Sequence, residues 1–417
     1  VEYVKILGGG REVGRSAIYI ESSNEGIMLD YGVNFTPQDE PNLPLQVEPK
    51  KVRAFLISHA HLDHIGALPL YQISSNIEVY GTEITKELTE VMLRDFLKLS
   101  GNKLPFEWVE VRKVVNNFKT LDYDEIEIGS FKVSFSNAGH IPGSSIITVK
   151  GAHEIAYTGD INTIDTHLVK APDLSVLNNV DTLIIEATYG RFNHPERKNV
   201  EEEFYEAVLE AVEDGGTVLI PAFSLARSQE ILAVLASKDF QYPVYYDGMV
   251  REIMEIFMRN NKYINNREIL TKVWNEFKYV EGWEVRKKIW RENGVIVASA
   301  GMLKGGPALF YFKKIADNKK NAVFLVSYQA ENTPGRRLLE LGNISEGEPI
   351  KARFQIFDFS SHAGRDQLLN IVKNAKNLQK LIIVHASPDN GIYFANYVRE
   401  RFGIEAIVPE NGQEIKL

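Results

Sequence analysis

The 417-residue chain contains no cysteine, which removes disulfides, thiolate metal sites and cysteine nucleophiles together. It also contains no apolar run approaching the roughly 18 residues of a membrane span. Its first residues carry no basic segment followed by an apolar core, so neither a membrane partner nor a secretory signal is expected. A cysteine-free chain suits a reducing compartment, and a cytoplasmic location is the expectation. Excess positive charge is missing as well: 47 Lys and Arg against 56 Asp and Glu give a net charge of -9. That balance argues against indiscriminate nucleic-acid binding through overall charge. It leaves room for a local basic groove, or for an anionic ligand held by dications. Histidine is scarce too, with 9 in the whole chain.

Three of those nine fall in one short stretch, Ser58-His59-Ala60-His61-Leu62-Asp63-His64, directly behind the apolar run Ala54–Ile57. Chance placement explains such crowding poorly. Imidazole and carboxylate together suit a borderline or hard dication. His59 and His61, two apart on extended chain, project to the same side. Asp63 and His64 follow as the chain turns into an expected helix over Ile65–Tyr71. Side chains one apart diverge there, which suits two neighbouring metals better than one.

Hydrophobic content of 44% and charged content of 25% are ordinary for a globular protein, and the length exceeds the usual single core. Two domains are therefore expected. The N-terminal region reads as short β-runs, among them Val4–Leu7, Ser16–Glu21, Gly26–Leu29, Phe131–Phe135, Ser145–Lys150 and Glu154–Tyr157. One helix is expected over Ile84–Leu99, with Gly101 as its stop. Ligand-type residues punctuate the strand ends: Asp30, the histidine cluster, His140 before Pro142-Gly143, and Asp160 after Thr158-Gly159. From about Asp181, strand-like runs alternate with helical patterns, which implies a parallel sheet covered by helices. Near the C-terminus, His362 follows Phe359-Ser360-Ser361, and His385 follows the run Leu381–Val384. Taken singly, each of these late histidines reads as a buried side chain satisfied by backbone. His153, His167 and His194 read as ordinary loop histidines.

Asp30, the His59–His64 cluster, His140 and Asp160 occur in the order and contexts of the metallo-β-lactamase superfamily, which they resemble. Glu186 in Ile185-Glu186-Ala187-Thr188-Tyr189-Gly190, His362 and His385 resemble the three further motifs of its β-CASP nucleases. Gly301-Met302-Leu303, Gly306-Pro307 and the Phe-Ser-Ser-His form are similar to the archaeal cleavage and polyadenylation factor branch, with ribonuclease J as nearest relative. The resemblance covers essentially the whole chain. It implies an αββα sandwich from residues 1–180 and 352–417, with a β-CASP domain, a parallel sheet flanked by helices, inserted over 181–351.

It further implies two Zn2+ ions. One would take His59, His61 and His140; the other would take Asp63, His64 and His385; Asp160 would bridge them. A dizinc-activated hydroxide would attack phosphorus in RNA, His362 would protonate the leaving sugar oxygen, and Glu186 would orient that imidazole. Asp30 would support ligands from behind. Cleavage would be endonucleolytic and also 5′-to-3′ exonucleolytic on single-stranded RNA, within a homodimer or an RNA-processing complex. A non-catalytic scaffold subunit, a DNA-directed β-CASP nuclease and a small-molecule hydrolase that opens thioesters or lactams are the alternatives. After His385 the family commonly carries Gly-Glu, where this chain reads Ala386-Ser387-Pro388.

Candidates for contacting RNA are Arg336-Arg337 and the helix start at Gly305-Gly306-Pro307. Lys313-Lys314 and Arg286–Lys288 read instead as solvated helix faces.

Overall fold

Ile18, Ile20, Ile27, Leu29, Ala54 and Leu56 sit at alternate positions on three strands and pack into one core with Val133, Phe135, Ile147, Val149 and Ile184. The intervening residues Tyr19, Met28 and Phe55 face the opposite way, into a second core with Leu93, Phe96 and Val111. A strand apolar on both faces must be covered on both faces. The computed structural model, which describes residues 2–417, meets that demand with layers. Two seven-stranded sheets stack on each other. The outer face of the first carries the helices Glu83–Ser100 and Trp108–Asn116. The outer face of the second carries Arg365–Asn374 and Pro388–Phe402, through Leu368, Ile371, Phe394 and Val398. This is the αββα sandwich the sequence implies.

The first sheet runs in the order 414–416, 2–8, 17–22, 25–29, 52–56, 78–82 and 118–121. The second runs 405–407, 380–384, 182–186, 154–157, 145–150, 131–137 and 125–128. Strands from the two ends of the chain therefore share both sheets. Its parallel members Glu154–Tyr157, Thr182–Glu186 and Lys380–Val384 lie side by side. Their carboxyl ends consequently come out along one edge.

The chain forms two compact units, the first running to Asp165 and including Lys170–Asn193 and Ser361–Leu417, the second comprising Thr166–Val169 and His194–Ser360. The sequence pattern assigns Thr182–Ile185 to an inserted region starting at 181, but this strand pairs within the sandwich. A strand buried on both faces reads alike in either setting, which is why the pattern misplaces it. The second unit holds a six-stranded, all-parallel sheet in the order 278–279, 244–247, 295–298, 218–221, 322–325 and 353–356. Helices such as Arg227–Ser237 and Gly306–Ile315 connect its strands, and Arg197–Glu213 precedes the first of them.

Two local expectations need correction. The helical turn after the histidines is only Leu62–Ile65, followed by a 3-10 turn over Leu68–Gln72, so Asp63 and His64 lie within a helix rather than before one. Arg286 does not lie on a solvated helix face. Its guanidinium pairs with both oxygens of Asp247 (2.7 and 2.8 Å), and Tyr311 Oη donates to the same carboxylate at 2.6 Å. Asp247 is 1% exposed at the end of its strand. Removing one member of such a pair leaves an uncompensated charge. Asp247→Ala is expected to destabilise the protein by about 2–3 kcal/mol, measured as a lower urea midpoint with unchanged slope.

Candidate metal centre

Most cluster residues are delivered by a strand end or by the turn behind it, and Asp63 and His64 by the short helix Leu62–Ile65. His59 follows Val52–Leu56, Asp30 follows Glu25–Leu29, Asp160 follows Glu154–Tyr157, and His385 follows Lys380–Val384. Glu186 is the last residue of its own strand. The Thr158-Gly159-Asp160 turn must pass close to Ser58, and a Cβ on Gly159 (φ +54°) would lie 2.6 Å from Ser58 Cβ. Asp30 and His385 also take left-handed conformations, at φ 58° and 52°. Such strain persists only where surrounding contacts hold it, and it gathers at functional sites.

Asp30 is fully buried and sets the back of the site. Its oxygens accept from Ser58 N (2.7 Å), Ser58 Oγ (2.6 Å) and Tyr157 Oη (2.8 Å), and Oδ2 lies 2.6 Å from His64 Nδ1. That contact turns His64 Nε2 forward, to 3.2 Å from Asp160 Oδ2. His140 Nδ1 donates to the Ser361 carbonyl at 2.8 Å, and Thr188 Oγ1 lies 3.0 Å from His385 Nδ1. His385 Nε2 is thereby placed 3.1 Å from Asp63 Oδ2 and 3.5 Å from Asp160 Oδ1.

The outcome is two donor groups sharing one carboxylate. His59, His61, His140 and Asp160 bring their donor atoms within 4.8 Å of one another, and so do Asp63, His64, Asp160 and His385. Both groups therefore contain the residues expected in them. Asp160, Glu186 and His362 form a third, adjoining group. His362 Nδ1 lies 2.7 Å from Glu186 Oε2, while Glu186 also accepts from Ile161 N (3.0 Å) and Thr188 N (3.2 Å). The His362 and His140 rings are 4.8 Å apart.

Charge and burial act strongly here. Burial alone would raise the Asp160 carboxyl, but the imidazoles of His385 and His64 outweigh it and hold Asp160 well below the usual carboxylate range. Burial pushes His140 well below the ordinary imidazole value. Burial also opposes charge on His385, yet Asp160 and Asp63 raise it to about 9. His362 is raised as well, Glu186 and Asp160 overcoming its burial.

The donor set fits dications. It is nitrogen and carboxylate oxygen, as a borderline metal prefers. Three buried atoms that face the cluster, His59 Nε2, His64 Nε2 and Asp160 Oδ1, make no hydrogen bond. Buried polar atoms without partners are rare and call for a ligand or ion.

Ser58, Tyr157, Thr188 and Ser361 carry no sequence signal of their own, and their roles come from geometry alone. The segment Ala386-Ser387-Pro388, which follows His385 where the family commonly has Gly-Glu, opens a helix: Ser387 Oγ caps Asn390 N and Pro388 is the first helical residue. The four RNA-contact candidates stand outside the cluster, in the second unit. Arg336 and Arg337 lie in the first turn of Pro334–Leu341, and Gly305 precedes the helix Gly306–Ile315. Gly335 N donates to Met302 O (2.9 Å), so these two helix starts are neighbours. Arg336 Nε pairs with Glu340 at 2.6 Å, and Arg337 Nε is buried with no hydrogen bond.

A four-layered sandwich with such a cluster at its strand ends defines a metallo-hydrolase, and residues 19–187 match the metallo-beta-lactamase superfamily domain. Residues 228–338 match the Beta-Casp domain, and 347–409 match the Zn-dependent metallo-hydrolase RNA specificity domain. The chain is 60% identical to a Saccharolobus solfataricus protein named RNase aCSPSF2, over all of this chain and 85% of that one. It is 37% identical to a probable RNase MJ4 of Methanocaldococcus jannaschii, over 98% of this chain and 99% of that one. A Pyrococcus horikoshii protein named transcription termination factor FttA is 32% identical, this chain spanning 70% of its length. The fold also matches a crystal structure of a protein of unknown function from Enterococcus faecalis, with TM-score 0.66, 16% identity and full coverage of both chains. The chain belongs to the β-CASP family of the metallo-β-lactamase superfamily.

Asp30→Asn keeps the shape and the tolerance of positive φ but faces Ser58 N, Ser58 Oγ and Tyr157 Oη with a neutral amide. Metal retention is expected to weaken about 10–100-fold, with about 1–3 kcal/mol of stability lost. Elemental analysis after dialysis and a denaturant melt measure the two effects. Unchanged metal content with a wild-type melt would show that Asp30 supports nothing in the cluster.

Proposed function

We propose that the chain is a zinc-dependent ribonuclease that hydrolyses phosphodiester bonds of single-stranded RNA, cutting internally and also from the 5′ end. One observation carries the reading: the His362–Glu186 pair adjoins two donor groups that share Asp160. A small-molecule hydrolase needs the donor groups but has less use for a separately held imidazole beside them. The names of the relatives agree with it.

In this reading His59, His61 and His140 would hold one zinc and Asp63, His64 and His385 the other, with Asp160 available to both. Two such ions, when bound, supply an acidified water and neutralise phosphate oxygens. The remaining work belongs to the chain. Glu186, fixed by Ile161 N and Thr188 N, accepts from His362 Nδ1 and fixes the ring's orientation. Nε2 is then the proton-bearing atom offered to the substrate. Glu186 favours the imidazolium, so His362 can enter the reaction protonated and release its proton to the departing 3′ sugar oxygen. Products carry 5′-phosphate and 3′-hydroxyl ends. Asp30 acts from behind, through His64 and Ser58.

In the second unit, Arg336, Arg337 and the Gly305-Gly306 helix start are the contacts offered to phosphates. Guanidinium and helix N-terminus both suit an anion. The complete donor set weighs against a scaffold subunit, because a scaffold has no need to retain seven ligand-type residues in register. We place the enzyme in the cytoplasm, where RNA turnover needs it and a cysteine-free chain has nothing to oxidise.

The test is internally labelled RNA, with a matched DNA strand beside it and zinc measured on each protein. His59→Ala is expected to lose zinc and cleavage together. His362→Ala is expected to keep two zinc ions and lose about 10²–10⁴-fold in rate. Cleavage that survives in the His59 variant, or a His362 variant as fast as wild type, removes this mechanism. Equal cutting of DNA redirects it to the DNA nuclease alternative.

A further inference from the structure

The helix Pro388–Phe402 buries Gly391, Phe394, Ala395 and Val398 against the sheet. Tyr393, Tyr397 and Arg401 fall four residues apart on another face, about 6 Å apart along the axis. Tyr393 is 40% exposed, and its ring stacks on Tyr397 with centroids 6.1 Å apart and planes 14° from parallel. Two guanidiniums flank Tyr397: Arg401 at 4.7 Å from the ring centroid and Arg365 at 5.2 Å.

A second segment adds to the patch. Phe192 is 53% exposed, with the Arg191 guanidinium 5.0 Å from its ring. Arg191 Nε donates to Asn390 Oδ1 (2.6 Å), and Phe192 O accepts from Arg365 N (2.8 Å), so both segments are tied to the same helices. All of these residues belong to the first unit. The patch is also continuous with the candidate centre. Tyr189 bridges to Gly364 in a parallel pair, and its ring lies 6.0 Å from that of His362. Arg365 is three residues beyond His362.

We infer that this face, built from Arg191, Phe192, Arg365, Tyr393, Tyr397 and Arg401, is a track for single-stranded RNA running away from the candidate centre. The inference rests on the ribonuclease reading and extends it to the substrate lying outside the reacting bond.

Cation–π pairing within one helix would account for Arg401 over Tyr397 as surface packing. It does not account for an exposed phenylalanine with its own arginine arriving from another segment. Exposed aromatic faces interleaved with guanidiniums are what a nucleic acid strand uses, stacking its bases and pairing its phosphates. The charge complementarity is local: Asp366 shares Arg365 (3.1 Å) but is also held by Asn193, while Arg191 and Arg401 point no ion pair inward. A second copy of the chain docking here about a twofold axis would set arginines against arginines, which is unfavourable. A polyanion meets no such conflict.

The experiment compares RNAs of about 8 and about 40 nucleotides in binding and cleavage. It uses the wild type, Tyr393→Ala/Tyr397→Ala, and Phe192→Ala/Arg401→Gln, each checked for zinc content and thermal unfolding. The wild type is expected to bind the long RNA more tightly than the short one. Each double variant is expected to lose about tenfold in affinity for the long RNA while cleaving the short one at the wild-type rate. The Phe192/Arg401 variant should also show a salt dependence shallower by about one unit of slope. Wild-type affinity for the long RNA in both variants overturns the track, as does equal loss on both lengths. A wild type that sediments as a dimer and variants that sediment as monomers would overturn it in favour of a protein surface. If the wild type neither binds nor cut either RNA, the ribonuclease reading itself fails, which is a different result from intact cleavage with an indifferent patch.

Discussion

Asp160 is a carboxylate with almost no access to water, set among the imidazoles of His59, His64, His140 and His385 at 3.2 to 3.5 Å. An ionised carboxylate in such a place is costly unless positive charge surrounds it. Asp30, Asp63 and Glu186 add further carboxylates close by. Burial opposes charge on His64 and His385, but these carboxylates draw both imidazoles toward their charged forms. Dications supply the same compensation while leaving those imidazoles neutral, as ligands must be. The packing of the first unit serves this arrangement. Strands from both ends of the chain share each sheet, and their carboxyl ends bring the charged residues to one edge.

Much of this was legible beforehand, for a physical reason. Short apolar or alternating runs bounded by turns mark strands, and Phe131, Ser145 and Glu154 are observed strand starts. The ligand-type residues stand immediately behind those runs. His59 to His64 announces itself through density alone. His362 and His385 do not, because a lone histidine after a strand is ordinarily satisfied by backbone. Only their order relative to the cluster, read through the family resemblance, gave them weight.

What stayed illegible depended on long-range partners. The resemblance implies that Asp30 supports the ligands from behind, but nothing local identifies its partners, Ser58 and His64 in one stretch and Tyr157 in another. Arg286 looked like one cation in a basic run, yet Asp247 and Tyr311 enclose it. The helix Trp108–Asn116 leaves little trace in the sequence because only Val111, Val114 and Val115 are buried on it, too few apolar positions for a clear period. The strand Thr182–Glu186 pairs within the sandwich although its pattern groups it with the inserted region, because local pattern encodes burial, not the identity of the neighbour that supplies it.

The net charge of -9 gains meaning once the charges are placed. An anionic protein repels a polyanion at distances up to the Debye length, about 8 Å at physiological ionic strength. Any grip on RNA therefore has to be short-ranged and concentrated. Metal ions at the candidate centre are one such device, neutralising charge where bonds are exchanged. Aromatic faces are another, because stacking depends little on ionic strength or on sequence. Arginines held against those faces add phosphate pairing without creating a long-range field. The anionic remainder of the surface then opposes unspecific binding elsewhere, so the same overall charge that weakens capture helps confine it to these sites.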